Sequence, residues 1–136
     1  MIYTSYFAKL RKIPEHIIPI SICAKPPIGY KGARYTRIAP SFDILMEYKE
    51  SGDAGAYTMK YQEKILANLN AKDVVSELDR ILLDETLSIA PSDTSKTPKM
   101  VLVCFEKSSD FCHRHIVAEW LRANGYECKE WEEGDM

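Results

Sequence analysis

A chain of 136 residues, 46% hydrophobic, 28% charged and 10% aromatic, has room for one compact domain over residues 1–136 and not for two. The composition excludes collagenous, low-complexity and disordered classes, and no apolar run approaches the ~18–20 residues that cross a bilayer. The net charge of −2 argues against a general nucleic-acid binder, yet it is unevenly spread: seven basic groups against one acid in residues 1–40 give +6 and leave −8 for the rest.

Ile2–Phe7 is β-branched and aromatic and predicts a first strand. Its apolar residues precede Arg11 and Lys12, the reverse of a secretory signal, so a cytoplasmic protein with no membrane attachment is expected. Ile17–Cys23 predicts a second strand, with Pro19 suited to its start or to an edge. Lys25–Gly32 is rich in Pro and Gly and reads as a loop. Ser41 is placed to cap a helix running to about Glu50, and Ser51–Gly55 breaks it. Tyr57, Tyr61, Ile65 and Leu69 recur every four residues with Leu66 beside them, which is one helical face. Another helix starts at Asn70, striped by Val74, Val75, Leu78, Ile81 and Leu82, and Asp84–Lys99 reads as a polar linker.

Met100–Phe105 is a continuous apolar run of strand length, as expected where a strand is covered on both faces. Ile116, Val117, Trp120 and Leu121 space a helix over Cys112–Asn124, with Gly125 as its stop. Tyr126–Trp131 alternates and predicts a last strand before an acidic tail from about residue 132. The fold class that follows is α/β, a single small domain with a mainly parallel sheet flanked by helices and a C-terminal βαβ unit.

Ligands of open parallel sheets gather beyond the carboxyl ends of the strands, near helix N-termini. That edge carries Cys104–His115, with two thiols, two histidines, an arginine and two carboxylates close together. Cys112 falls in the first helical turn, where free N–H groups and the helix dipole favour a thiolate. His113, Arg114 and Lys107 act in the same direction, while Asp110 opposes them and competes for the N-cap. Cys112 or Cys104 is the candidate nucleophile and His113 the candidate acid or base; Arg114, Arg34 and Arg37 are candidate anion ligands, with Lys25 and Lys31 able to join them.

Structural alternatives stand beside each role. The four cysteines, Cys23, Cys104, Cys112 and Cys128, read as thiols rather than bridges. Cys104 suits a small core residue, His113 a buried hydrogen-bonded histidine, and His115 an exposed one. Arg114 suits a surface pair with Glu106 or Asp110. Cys23 ends its strand on the same edge, and Cys128 carries no role. Tyr30 and Tyr35 are candidates to stack on a base, against ordinary loop packing.

A metal site is the competing use of Cys104, Cys112 and His113 or His115, with Glu106 nearby. The spacing matches no compact zinc module and a helix start repels cations, so no metal or other cofactor is expected. Dinucleotide, P-loop and hydrolase-elbow motifs are absent. The phosphatase loop fails too, because six residues after Cys104 stands Asp110 where that loop needs Arg.

Val101–Lys107 followed by Asp110–Leu121, with Arg37–Asp43 and the Tyr57–Leu69 helix, resembles domain-of-unknown-function family 488 (DUF488) in its short phage and bacterial type. The likeness runs from Ile2 to Trp131, and its most specific piece is the Cys-His-Arg stretch. It implies an α/β domain whose signature set is Cys104, Cys112, His113 and Arg114. Where longer members carry Asp-Val-Arg after the second strand, this chain has Ser21–Lys25. The favoured function is binding of an anionic ligand (phosphate, nucleotide or nucleic acid) at the turn around Cys112, His113 and Arg114; the alternatives are a cysteine-dependent enzyme and a structural or interaction protein or metal binder.

Overall fold

A computed structural model describes residues 1–88, 96–106 and 111–135. Five strands, β1 (Ile2–Tyr6), β2 (Ile17–Ser21), β3 (Ala33–Arg34), β4 (Lys99–Cys104) and β5 (Cys128–Glu130), form one sheet in the order β3-β2-β4-β1-β5. Every pairing is parallel. The helices are α1 (Phe42–Ser51), α2 (Ala54–Lys64), α3 (Ala71–Ser88) and α4 (His113–Ala123).

The continuous apolar run of β4 has its explanation in the two faces it serves. Met100 and Leu102 join a core with residues from all four α-helices, among them Ile44, Tyr61, Leu78 and Val117. Val101 and Val103 point the other way, into a smaller core with Tyr3, Ile17 and Trp131. That second face is covered by Phe7 and Leu10 of a 3-10 segment, Phe7–Lys12, rather than by an α-helix. The sheet is therefore buried on both sides, as a parallel sheet must be.

Several boundaries differ from the sequence reading for physical reasons. Ala33–Arg34, adjoining the expected loop, is a strand because it pairs with Ile20 and Ser21. Pro19 sits inside β2, in register with Val101, at a position beyond the reach of the short β3. The helix striped by Val74 and Leu78 continues through Asp84 to Ser88, five residues into the expected linker, while 89–95 lie outside the described residues. Ser41 holds the N-cap position of α1 but its side chain makes no capping bond, whereas Asp53 accepts from the Ala56 N–H and caps α2. The expected βαβ unit has β1 between its strands, since β5 pairs with β1 and not with β4.

This topology reverses direction between β4 and β1, with β2 and β3 to one side and β5 to the other. The carboxyl end of that switch is where open α/β sheets place ligands. Here it is occupied by the end of β4 and the start of α4.

Candidate active site at the end of the fourth strand

Cys104 closes β4 and Cys112 is the N-cap residue of α4, one position before the first helical turn. Their sulfurs are joined in a disulfide. The expectation of four free thiols is corrected for this pair, because strand end and helix start converge on one point; Cys23 and Cys128 are free and buried. Cys23 packs against both bridged residues, with Phe7 beside them. The Ser21 hydroxyl lies 3.2 Å from the Cys23 sulfur. Lys107 and Asp110, expected to modulate Cys112, lie outside the described residues.

His113 follows directly and is buried. Its Nε2 is 2.8 Å from the carbonyl oxygen of Ile22, and its Nδ1 is 3.7 Å from the Cys112 sulfur. A carbonyl can only accept, so Nε2 carries the proton and the Nδ1 lone pair faces the sulfur. Burial pushes the imidazole down to about 4, against the Ile22 hydrogen bond and with help from the positive charge of Arg114 and His115. The ring is neutral at neutral pH. His115, expected on the surface, is half-buried because α4 packs into the sheet along most of its first turns.

Arg114 is the largest departure from expectation. It is fully buried, and its carboxylate partner is Glu130 on β5. The fork is bidentate, Nε to Oε1 at 3.1 Å and Nη2 to Oε2 at 2.8 Å. Nη1 donates to the Cys104 sulfur at 2.9 Å and also to the backbone carbonyl of Glu106. In place of the Glu106 carboxylate stands Glu130, because a buried guanidinium needs a carboxylate that is itself held. Thr4 holds it, donating to Glu130 Oε1 at 2.7 Å.

Above the sulfurs opens a cavity of about 200 Å3. Cys23, Cys104, Cys112 and His113 line it, and its apolar walls include Tyr48, Tyr57 and Phe111. The three rings pack against one another, with Phe111 4.9 Å from Tyr57 and 5.1 Å from Tyr48. Lys25 and Glu106 supply opposite charges to the lining. The aromatic wall was not apparent as a site feature, because Tyr57 reads as core from its helical spacing.

The other expected anion ligands stand apart. Arg34 is exposed on β3, and Arg37 pairs with Glu77 of α3 at 2.5 Å; neither lines the cavity. Tyr30 and Tyr35, for which ordinary loop packing is the favoured reading over stacking on a base, are engaged in packing. Tyr35 is buried, while Tyr30 donates to the Ala33 carbonyl and packs edge-on against Phe7.

Glu130 is the functional residue that motif reasoning missed. An alternating last strand with Cys128 facing the helical core puts Glu130 on the same face, and an acid there needs a buried cation. That was the available signal. Among the described residues no helix is long and apolar enough to cross a membrane.

No curated protein and no solved structure matches the chain. A family model described as the active DUF488-N3 subclade matches residues 3–125, which takes in every residue of the turn from Cys104 to His115. With that match covering most of its length, the chain belongs to the DUF488 family.

Proposed function

We propose that the protein is a cysteine-dependent enzyme that exchanges disulfides through the Cys104–Cys112 pair. The observation that carries this reading is the pair itself, two bonded sulfurs at a solvent-facing cavity, each with its own polar neighbour. Cys112 has the helix start, which favours a reactive thiolate, and His113 packs beside it through Nδ1. Cys104 has the Arg114 N–H, which stabilises it as a leaving thiolate.

In the reduced enzyme the Cys112 thiolate attacks one sulfur of a substrate disulfide. A Cys112–substrate disulfide forms and the first substrate thiolate leaves. The Cys104 thiolate then attacks the Cys112 sulfur, releasing the second substrate thiolate and restoring the bridge. The substrate gains two electrons and the enzyme loses two; a dithiol reductant returns them. The walls of Tyr48, Tyr57 and Phe111 favour a substrate with a flat apolar group beside its disulfide.

The test is turnover of a small aromatic disulfide in the presence of a dithiol reductant. Wild type and Cys128→Ser should exceed the rate of reductant alone, while Cys112→Ser and Cys104→Ser should fall to it. A wild-type rate equal to that background would end the proposal.

A second reading, an anionic ligand at the same cavity, is supported by Lys25 in its lining and by the start of α4 beside it. Arg114 takes no part in it, because its donors are engaged with Glu130, Cys104 and Glu106. The reading predicts a rise in melting temperature with millimolar phosphate or a nucleotide, lost in Lys25→Ala. No shift in wild type excludes it.

A further inference from the structure

We infer that the reduced form of the same turn is a metal site, in which the Cys104 and Cys112 thiolates and His113 Nδ1 hold a soft divalent ion, zinc foremost. The ligand atoms of these three residues lie within 4.8 Å of one another, and all three residues are buried. Two thiolates and an imidazole form a donor set selective for zinc over hard cations.

The orientation of the histidine is the second observation. A metal-bound imidazole is ordinarily fixed by its other N–H on a carbonyl or carboxylate. The bond from Nε2 to the Ile22 carbonyl at 2.8 Å does this, and turns Nδ1 toward the sulfurs.

Charge decides against the objection that a helix start and a neighbouring arginine repel cations. Arg114 is neutralised by the bidentate Glu130 carboxylate. Two thiolates then balance the dication, leaving the buried site near neutrality. The Arg114 Nη1 donates to the Cys104 sulfur, as outer groups do to metal-bound thiolates. Three protein ligands leave the fourth position toward the cavity, the arrangement of zinc sites that accept an exogenous ligand.

Binding and bridge formation exclude each other. On binding, two thiols give up their protons and no electron moves. On oxidation, the two sulfurs lose two electrons to a disulfide substrate or another two-electron oxidant, and the ion leaves. The metal site stands independently of disulfide exchange, since either chemistry can be measured without the other.

The probe is cobalt(II), added to reduced full-length protein under nitrogen. We expect d–d bands and a thiolate-to-cobalt charge-transfer band that saturate at one ion per chain and are displaced by zinc. Cys104→Ser and Cys112→Ser should each lose the charge-transfer band, with circular dichroism verifying that they are folded, while Cys128→Ser keeps it. Absence of the band in reduced, folded wild type overturns the inference. So does a band that survives in both site variants, or one lost equally in Cys128→Ser. Exchange turnover without cobalt binding would refute the metal site alone, and cobalt binding without turnover the exchange reaction alone.

Discussion

His113 Nε2 and the carbonyl oxygen of Ile22 are 2.8 Å apart, and this contact ties α4 to the chain just beyond β2. It fixes the imidazole tautomer and with it the group presented to Cys112. His113→Ala removes the donor and leaves a carbonyl facing the buried end of the helix. An unpaired buried acceptor costs about 1–3 kcal/mol, so the urea midpoint should fall accordingly. His113→Gln, able to donate to the same carbonyl, should recover part of the loss. Equal stability of the alanine variant and wild type would mean that the bond carries no net energy.

The thiols should differ sharply in reactivity once the bridge is reduced. Burial pushes Cys128 up to about 11, against the nearby charge of Arg122. At pH 8 it is almost wholly protonated and has little access to reagent. Cys112 lines the cavity and sits at the start of a helix, which favours the thiolate. Timed alkylation with iodoacetamide, read by peptide mass, should therefore label Cys112 well before Cys128. Labelling in the opposite order would contradict the assignment of Cys112 as nucleophile.

The contrast between β4 and Arg114 explains how far the sequence could be read. A parallel strand covered on both faces has one apolar signature, and Met100–Phe105 carries it without interruption. Arg114 has no such signature. A guanidinium is usually solvated, and the carboxylate that justifies its burial lies sixteen positions away on a strand that reaches it only through the fold. The convergence of Cys104 and Cys112 likewise depends on a tertiary approach that an eight-residue separation does not dictate. β3 escaped notice because two residues carry no periodicity, and only pairing with β2 defines them. Residue types at the turn were thus legible, and their partners were not.

Alkaline pH should destabilise the protein in a defined window. Burial is the main cause that raises both Tyr30 and Tyr35 from 10.0 to about 12. The unfolded chain ionises these phenols first, so their contribution to stability is complete below pH 10 and disappears as pH rises toward 12. Urea midpoints should fall across that interval more steeply than between pH 7 and 9. Tyr30→Phe removes one of the groups and should flatten the fall. An unchanged slope in that variant would show that Tyr30 ionises alike in both states.

The Arg114–Glu130 fork offers a test in which the sign of the effect is diagnostic. Glu130→Ala leaves a fully buried guanidinium without its carboxylate, and breaking such a pair costs about 3–5 kcal/mol. The partial exposure of Glu130 favours the lower end, since entering water compensates some of the charge. Arg114→Met alone strands the carboxylate near the surface, where solvent reaches it, and should cost less. The double replacement Arg114→Met with Glu130→Met removes both charges at similar volume and should regain most of the loss from Glu130→Ala. Denaturant unfolding of the three variants measures this directly. Recovery of fold stability without recovery of disulfide exchange would assign the buried pair to the chemistry of Cys104, since the methionine cannot donate to its sulfur. Recovery of both would make the pair structural.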